Sequence, residues 1–521
     1  MRLRTAAVLA LAGAAVLVPV WAAPVLVTTD GPTHVYNAMV AAVARAGRAP
    51  YAALLHAPIG VRPAQLSALA LEALGNVLPW ETAERVLVSL MMAATLAVVL
   101  LRSDGQGWPV TVVLAALASW LAHNWFVWMG FYDFALSLVE YVGMILLLAH
   151  PPPVTRRRQV ALGALLLLLY CTHFFTLAVS AGLLLTTALS HKRTGVDPRP
   201  ELRLVGLAIL LLLLGFLTGG TEGARPIWAG PWPAIVGLAL GDVVRTFHPG
   251  DAVGGIALLG SCLAAVAIRL RAARTGPRVA EDLFGIGLLG LSLVAPESIG
   301  IGGRIPLRLQ MLGVFSLLGA VVAIAPTLPV RWVASLAGVV MLGFLGHAAY
   351  AVAVARDVAD DERLLEGMLV AAGATEGAWV RTCFEDNERG LFQIPGYAHL
   401  VDRIATRRRL IVLDNYQAYY SVFAVRWRTR PDQLTIRTTP TGFALGILPG
   451  QLDWTPALYL VRESEWSLEA DDRRLTLGPT VTEDDFAVTR IQAEGGGGAA
   501  VRGRAPPVSA VPSPRLPACS R

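Results

Sequence analysis

The sequence predicts an all-α polytopic membrane protein of about eleven transmembrane helices, carrying a small C-terminal α/β domain outside the membrane. Three observations predict it. The 521 residues are 55% hydrophobic and only 15% charged, whereas soluble globular chains carry about 25% charged residues. The apolar residues gather in long runs separated by short loops. After about Arg356 the composition turns polar and mixed. Together these exclude an ordinary soluble enzyme and a disordered or collagen-like chain.

The apolar spans fall at 5–27, 83–101, 109–123, 126–149, 159–171, 174–190, 203–218, 252–270, 283–299, 307–325 and 331–355. Arg2 and Arg4 precede the first, and Trp21-Ala22-Ala23 looks like a cleavage region. The run is too long for the apolar part of a signal peptide, and Pro24 follows the small residues, so an uncleaved helix is expected. The fifth and sixth spans form one run broken at Cys171-Thr172-His173. Arginine placement favours a split there. With the N-terminus inside, the inner loops collect Arg102, Arg156–Arg158, Lys192 with Arg193, Arg269–Arg278 and Arg331. That obeys the excess of Lys and Arg in cytoplasmic loops. Without the split, every later loop inverts.

The expected location is therefore the plasma (inner) membrane, with a cytoplasmic N-terminus and an extracytoplasmic C-terminal domain. The net charge of +6 reads as a topology signal facing anionic lipid, and nucleic acid is not an expected partner. Lys192 is the only lysine; with abundant Ala, Gly and Pro this suggests a high-GC, bacterial genome. The four cysteines form no CxxC, so neither a disulfide framework nor a zinc site is expected.

The chain divides into a membrane part, 1–355, with a long first outer loop at 30–82. An outer α/β part follows at 356–492, and a disordered tail rich in Gly, Pro, Ser and Ala at 493–521. Two amphipathic helices are expected in the first loop, one opening at Asp30-Gly31-Pro32 and one at 63–77, both suited to the membrane surface. In the outer part, strands are expected at 410–413, 434–436, 457–461 and 475–477, and a helix at 398–406.

The uncommon polar residues sit on the predicted outer face. Asp30-Gly31-Pro32-Thr33-His34 follows the first span directly. Asp30 reads equally as a carboxylate held at the membrane surface and as the cap of the helix that Pro32 opens. Arg304 and Arg308 lie one helical turn apart in Glu297-Ser298-Ile299-Gly300-Ile301-Gly302-Gly303-Arg304-Ile305-Pro306-Leu307-Arg308. An arginine inside a span is costly and often functional, and both suit a phosphate. The plainer alternatives are snorkelling to the interface or an Arg308–Glu297 pair. His173, Asp133, Glu297 and His248 are candidates for a cavity. Packing explains His173 slightly better, and Asp133 shares a helix face with Glu140. The loop 219–251 mixes Glu222, Arg225, Trp228, Trp232, Asp242, Arg245, His248 and Asp251 without a specific spacing. Asn124, Trp125, Trp128 and Tyr132 read as an interfacial aromatic belt. Gly285-Ile286-Gly287-Leu288-Leu289-Gly290 fits GxGxxG inside an apolar span, where helix packing explains it better than a nucleotide. Asp414-Asn415 reads as a turn.

One span, an acid opening an outer loop with two surface helices, many further spans and an outer domain resemble the GT-C superfamily of membrane glycosyltransferases. The run Asp30-Gly31-Pro32-Thr33-His34-Val35-Tyr36-Asn37-Ala38, leading to Gly47 and Pro50, is similar to the first-loop pattern of bacterial members. The resemblance implies sugar transfer from a polyprenyl-phosphate donor to a glycan, lipid or protein acceptor on the outer face, with membrane lipid around it. It implies Asp30 as catalytic base, with His34 orienting or binding, and a donor phosphate on Arg304 and Arg308. Many members carry two acids at this point, whereas Gly31 stands beside Asp30 here. No cofactor is expected; a divalent metal is compatible but not indicated. From the residues alone two other readings stay open: a polytopic transporter or lipid flippase, and a non-catalytic membrane scaffold.

Overall fold

The computed structural model describes residues 2–57, 65–101, 107–149, 155–218, 225–272, 277–299, 302–383, 399–415, 418, 425–428, 434–439, 442–447, 458–464, 467–470 and 475–493. The tail from 494 onward and Glu222 lie outside the described residues.

The helices are α1 (Arg2–Trp21), α2 (Gly31–Arg45), α3 (Leu66–Gly75), α4 (Trp80–Leu101), α5 (Trp108–Ala122), α6 (Tyr132–Leu148), α7 (Arg156–Thr172), α8 (Phe174–Arg193), α9 (Arg199–Thr218), α10 (Pro231–Leu240), α11 (Ala252–Ala272), α12 (Pro277–Ser292), α13 (Ile305–Ile324), α14 (Val330–Ala371) and α15 (Leu400–Arg408). Every predicted apolar span has its helix. Among the described residues, seven helical stretches are long and apolar enough to cross a membrane: Trp80–Leu101, Trp108–Trp128, Phe174–Arg193, Arg199–Leu217, Pro249–Arg271, Ile305–Thr327 and Val330–Ala371. The chain is a multi-pass membrane protein.

The break at 173 is real. His173 leaves helical geometry at φ −156°, ψ 109°, ending α7 and opening α8. The GxGxxG stretch is a packing surface. A Cβ on Gly285 would lie 2.7 Å from Leu317, and one on Gly313 would lie 3.1 Å from the Gly285 carbonyl, so α12 and α13 meet closely there. The last apolar helix does not end where the hydropathy ends. α14 runs without a break to Ala371, because Asp, Glu, Arg and Leu after 355 keep a buried stripe at Val358, Glu362, Leu365 and Leu369. The change in polarity marks what the helix faces, not where it stops.

Two further strands pair with each other beside the membrane part: β1 (Pro226–Ile227) and β2 (Ser298–Ile299), with β3 (Gly302–Gly303) added on β2. The C-terminal strands are β4 (Trp379–Cys383), β5 (Ile411–Val412), β6 (Leu434–Thr439), β7 (Gly442–Ile447), β8 (Leu458–Glu463), β9 (Ser467–Ala470), β10 (Leu475–Glu483) and β11 (Phe486–Ala493). A mixed five-stranded sheet has the order β10-β11-β8-β4-β5, parallel across β8-β4-β5 and antiparallel elsewhere. A second sheet has the order β9-β7-β6.

The first outer loop departs from its prediction. α2 has no open polar face over its first three turns: every residue from Gly31 through Ala41 except the partly exposed His34 is buried. Its polar residues bond the C-terminal part instead of water. Tyr36 Oη donates to the Leu410 carbonyl at 3.1 Å and accepts from Val412 N–H at 3.0 Å. Asn37 and Asn415 exchange amide hydrogen bonds at 3.2 and 2.7 Å. The predicted turn at Asp414-Asn415 is thus a docking point.

α15 is fastened to the membrane helices at its basic end. Arg403 bonds Glu362 at 3.2 Å and the Leu26 carbonyl at 2.6 Å, and both side chains are nearly fully buried. Arg407 reaches Glu81, Glu362 and Glu366, and Arg408 also reaches Glu366. Breaking a buried pair by removing one partner leaves a desolvated charge. Arg403→Ala is expected to destabilise the protein by about 3–5 kcal/mol. The half-exposed Arg408→Ala should cost less than about 1 kcal/mol. Thermal unfolding of the two variants in detergent checks the contrast.

Candidate active site

The chain leaves α1 and turns along a short segment that connects α5 to α6. Thr29 N–H bonds the Trp128 carbonyl and Asp30 N–H the Met129 carbonyl, each at 3.0 Å. Gly130 has φ +77°, and a Cβ there would lie 2.4 Å from the Gly31 nitrogen. A Cβ on Gly31 would lie 2.0 Å from Thr28 Oγ1, 2.2 Å from Glu84 Oε1 and 2.4 Å from Tyr132 Oη. Those three groups are bonded to one another: Tyr132 Oη and Thr28 Oγ1 both donate to Glu84 Oε1, at 2.5 and 3.1 Å. Position 31 has no room for a side chain of any kind.

Asp30 precedes the first residue of α2, but its side chain makes no capping hydrogen bond. Its backbone carbonyl accepts from His34 N–H at 3.0 Å, while its carboxylate is turned to His399. His399 Nε2 lies 3.5 Å from Asp30 Oδ1, and its Nδ1 lies 3.1 Å from Asp402 Oδ2. Thr33 Oγ1 donates to the same Asp402 oxygen. His34 lies against Tyr132 with ring centroids 5.7 Å apart. Burial lowers the His34 pKa below its ordinary value, against the pull of Asp30. Burial also opposes the charge on His399, but hydrogen bonds to Asp30 and Asp402 and their charges outweigh it, holding the ring up at about 10.

The second group of polar residues gathers around Arg308. Its Nη1 donates to His173 Nε2 at 2.7 Å. On its other side His173 Nδ1 accepts Thr176 N–H at 3.4 Å, capping α8, and lies 3.1 Å from Thr176 Oγ1. The guanidinium carbon stands 5.1, 5.5 and 6.0 Å from the rings of Phe134, Phe131 and Phe126. Arg308 Nε is buried and has no hydrogen-bond partner among the described residues. Glu297 pairs not with Arg308 but with Arg304, at 3.4 Å, and Arg304 is exposed over Trp125 at 5.7 Å. Arg304 adopts a left-handed conformation at φ 57°, just before α13.

The segment from Asn124 to Phe134 therefore serves both groups. Asn124 Oδ1 accepts from Phe126 and Val127 N–H at 3.0 and 3.2 Å and folds it into one helical turn. That turn carries Trp125 and Trp128 inside, and Tyr132 follows; each is at most 3% exposed. The predicted interfacial belt is a buried wall, because the cap bends the chain inward.

The remaining candidates lie elsewhere. Asp133 accepts Ser67 N–H at 2.9 Å and so holds the start of α3. Glu140 accepts from Thr172 Oγ1 at 2.8 Å. His248 caps the turn Pro249–Asp251 and lies against Tyr350. Asp251 accepts N–H bonds from residues 246–248 and lies 3.2 Å from His347, which contacts His123 at 3.1 Å. The loop 241–251 is thus tied to itself and to the bundle. Among the described residues, no group of three His, Cys, Asp or Glu side chains is arranged to hold a metal ion. The reading of the sequence missed His399, Asp402 and Glu84. The spacing His399-x-x-Asp402 at the start of an expected helix was the available signal; nothing local ties it to Asp30.

No family model and no curated relative matches the sequence. Solved structures do match. ArnT from Cupriavidus metallidurans in the apo state aligns with a TM-score of 0.51 at 13% identity, covering 92% of this chain and 97% of ArnT. The chain shares its fold with that structure. ArnT bound to undecaprenyl phosphate aligns with a TM-score of 0.48 at 12% identity, over 95% of this chain and 99% of ArnT. The archaeal oligosaccharyltransferase AglB from Archaeoglobus fulgidus, in complex with an inhibitory peptide and a dolichol-phosphate, gives 0.41 at 10% identity. That match covers 78% of this chain and 64% of AglB. A side chain at position 31 would meet Glu84, Thr28 and Tyr132. Gly31→Ala should cost about 1–3 kcal/mol through overpacking, and Gly31→Asp more. Unfolding midpoints in detergent give the measurement; a neutral Gly31→Ala would show that the cluster yields.

Proposed function

We propose that the protein is a GT-C glycosyltransferase that moves a sugar from a polyprenyl-phosphate donor to an envelope acceptor on the outer face of the membrane. The observation that carries this reading is the pairing of two unlike groups on one wall. Asp30, whose carboxylate makes no capping bond, has its backbone held against Met129 and Gly130, and a cation with an unused N–H stands at Phe131 and Phe134. Transfer with inversion needs a base on the acceptor hydroxyl and positive charge for the departing phosphate.

In this reading Asp30 takes the proton as the acceptor oxygen bonds the sugar carbon. The bond from that carbon to the phosphate oxygen breaks, and its electron pair leaves with the phosphate. Arg308 receives the growing charge through its free Nε–H, with His173 setting the guanidinium plane. Arg304 joins by releasing Glu297. His34, with a lowered proton affinity, acts as a neutral orienting group beside Asp30. The C-terminal part covers α2 and supplies one side of the acceptor site.

The test is sugar transfer in proteoliposomes from a panel of undecaprenyl-phosphate sugars, with host membrane lipid extract as acceptor. Asp30→Asn should lower turnover about 10²–10⁴-fold while the protein stays folded. Arg308→Gln removes a charged hydrogen bond and should raise the donor KM about tenfold or more. Equal turnover in wild type and Asp30→Asn removes Asp30 from the chemistry. Labelled lipid crossing the bilayer without sugar transfer supports a flippase instead.

A further inference from the structure

The C-terminal helix α15 presents its first turn to Asp30, and nothing in the glycosyltransferase reading yet uses it. We propose that His399, held by Asp402, is a positioning residue that fixes the Asp30 carboxylate, so that the C-terminal part completes the active site. The inference rests on the reading of Asp30 as base; the bridge itself rests on geometry alone.

The geometry sets the protonation of the ring. Nε2 faces an oxygen of Asp30 and Nδ1 faces an oxygen of Asp402. An ionised carboxylate only accepts, and a neutral imidazole has one N–H. A neutral ring would set a lone pair against one of the two carboxylates. The arrangement is satisfied by an imidazolium that donates on both sides, and the raised proton affinity of His399 agrees. Both nitrogens are then committed to separate partners.

The bridge closes on itself. Asp402 accepts from Thr33, and Thr33 stands in the first turn of α2 beside Asp30. Asp30, His399, Asp402 and Thr33 form a ring joined through the α2 backbone. The far end of α15 is fastened separately by Arg403, Arg407 and Arg408, so the helix does not depend on His399 for its place. Arg403 also bonds the Leu26 carbonyl, a few residues before Asp30. Both partners of the bridge are therefore held from behind.

The chemical consequence is specific. The bridge engages Oδ1 of Asp30 and leaves Oδ2 outside it. It orients the carboxylate from the side of α15. The titratable groups facing the pair are Asp402 from α15 and His34 from α2, with Asp414 after β5 and Glu84 from α4 one layer behind.

The first test needs no substrate. Thermal unfolding of the full chain in detergent is followed from pH 5 to pH 10 for wild type, His399→Gln, Asp30→Asn and the double variant. His399 binds its proton more tightly when folded, at about 10 against an ordinary 6.5. Its stabilisation is complete below the ordinary value and is lost as pH rises toward the folded one. The wild-type midpoint should fall across that window, and His399→Gln should flatten the fall. The two single effects should be non-additive in the double variant. Parallel pH curves and additive effects overturn the bridge. Should His399→Gln fail to fold, Asp402→Asn carries the same test and moves the fall to lower pH.

The second test uses the undecaprenyl-phosphate sugar panel. Loss of the cation should move the acid limb of kcat/KM upward by about one pH unit, with donor KM changed less than about twofold. His399→Lys should return part of that displacement, which a purely structural role would not do. An acid limb unmoved in His399→Gln, with Asp30→Asn inactive, overturns the positioning role and leaves the glycosyltransferase reading standing. Turnover in Asp30→Asn overturns that reading, while coupled unfolding would still establish the bridge.

Discussion

The whole site end of the molecule depends on one tight backbone crossing. The peptide that joins Asp30 to Gly31 lies against Gly130, where neither glycine can take a Cβ without a contact under 2.5 Å. Interiors pack at crystal-like density, and such a contact cannot be absorbed by small shifts. The crossing fixes where α2 begins, and so the direction in which Asp30 leaves the backbone. It also brings Tyr132 and Glu84 directly beneath the first turn. Glu84, buried on a membrane helix, accepts from Tyr132 and Thr28 there.

From that crossing the wall 124–134 extends toward Arg308. Its backbone holds residues 29 and 30 on one side, and its aromatic rings hold the guanidinium on the other. A buried arginine is costly without an anion. The three phenylalanines and His173 soften the cost but carry no negative charge. Asp30 and Arg308 are thereby both held against one segment, the first through its backbone and the second through aromatic rings. That suits a reaction in which proton removal and phosphate departure occur at two ends of one transfer.

Much of this was legible in the sequence, and what was not has a physical cause. Hydropathy placed a helix at each apolar run and the break at His173, because lipid imposes length and backbone satisfaction on each segment alone. Asp30 and Arg308 stood out because their residue types are rare where they lie. The fate of α2 did not show, since burial on both faces depends on a partner some 370 positions away in sequence, as the Thr33–Asp402 and Asn37–Asn415 bonds illustrate. The aromatic run at Trp125–Tyr132 looked interfacial by composition; only the Asn124 cap turns it inward. The end of α14 was misplaced because hydropathy reports the medium, and helicity continues through a change of medium.

The long reach of α14 also explains why a small C-terminal part can hold His399 firmly beside Asp30. One unbroken helix carries Glu362 and Glu366 out of the membrane bundle to the arginines of α15. Surface ion pairs contribute little singly, but Glu362 is buried and shared between Arg403 and Arg407. The anchor is thus part of the bundle, and α15 needs no support from the sheet to stay in place. His399 follows from that: a residue at the first turn of a short helix is well placed only if the helix is fixed at its other end. Here the fixing charges come from the membrane part itself. The acid that opens the first loop and the histidine that meets it are therefore positioned by one continuous frame.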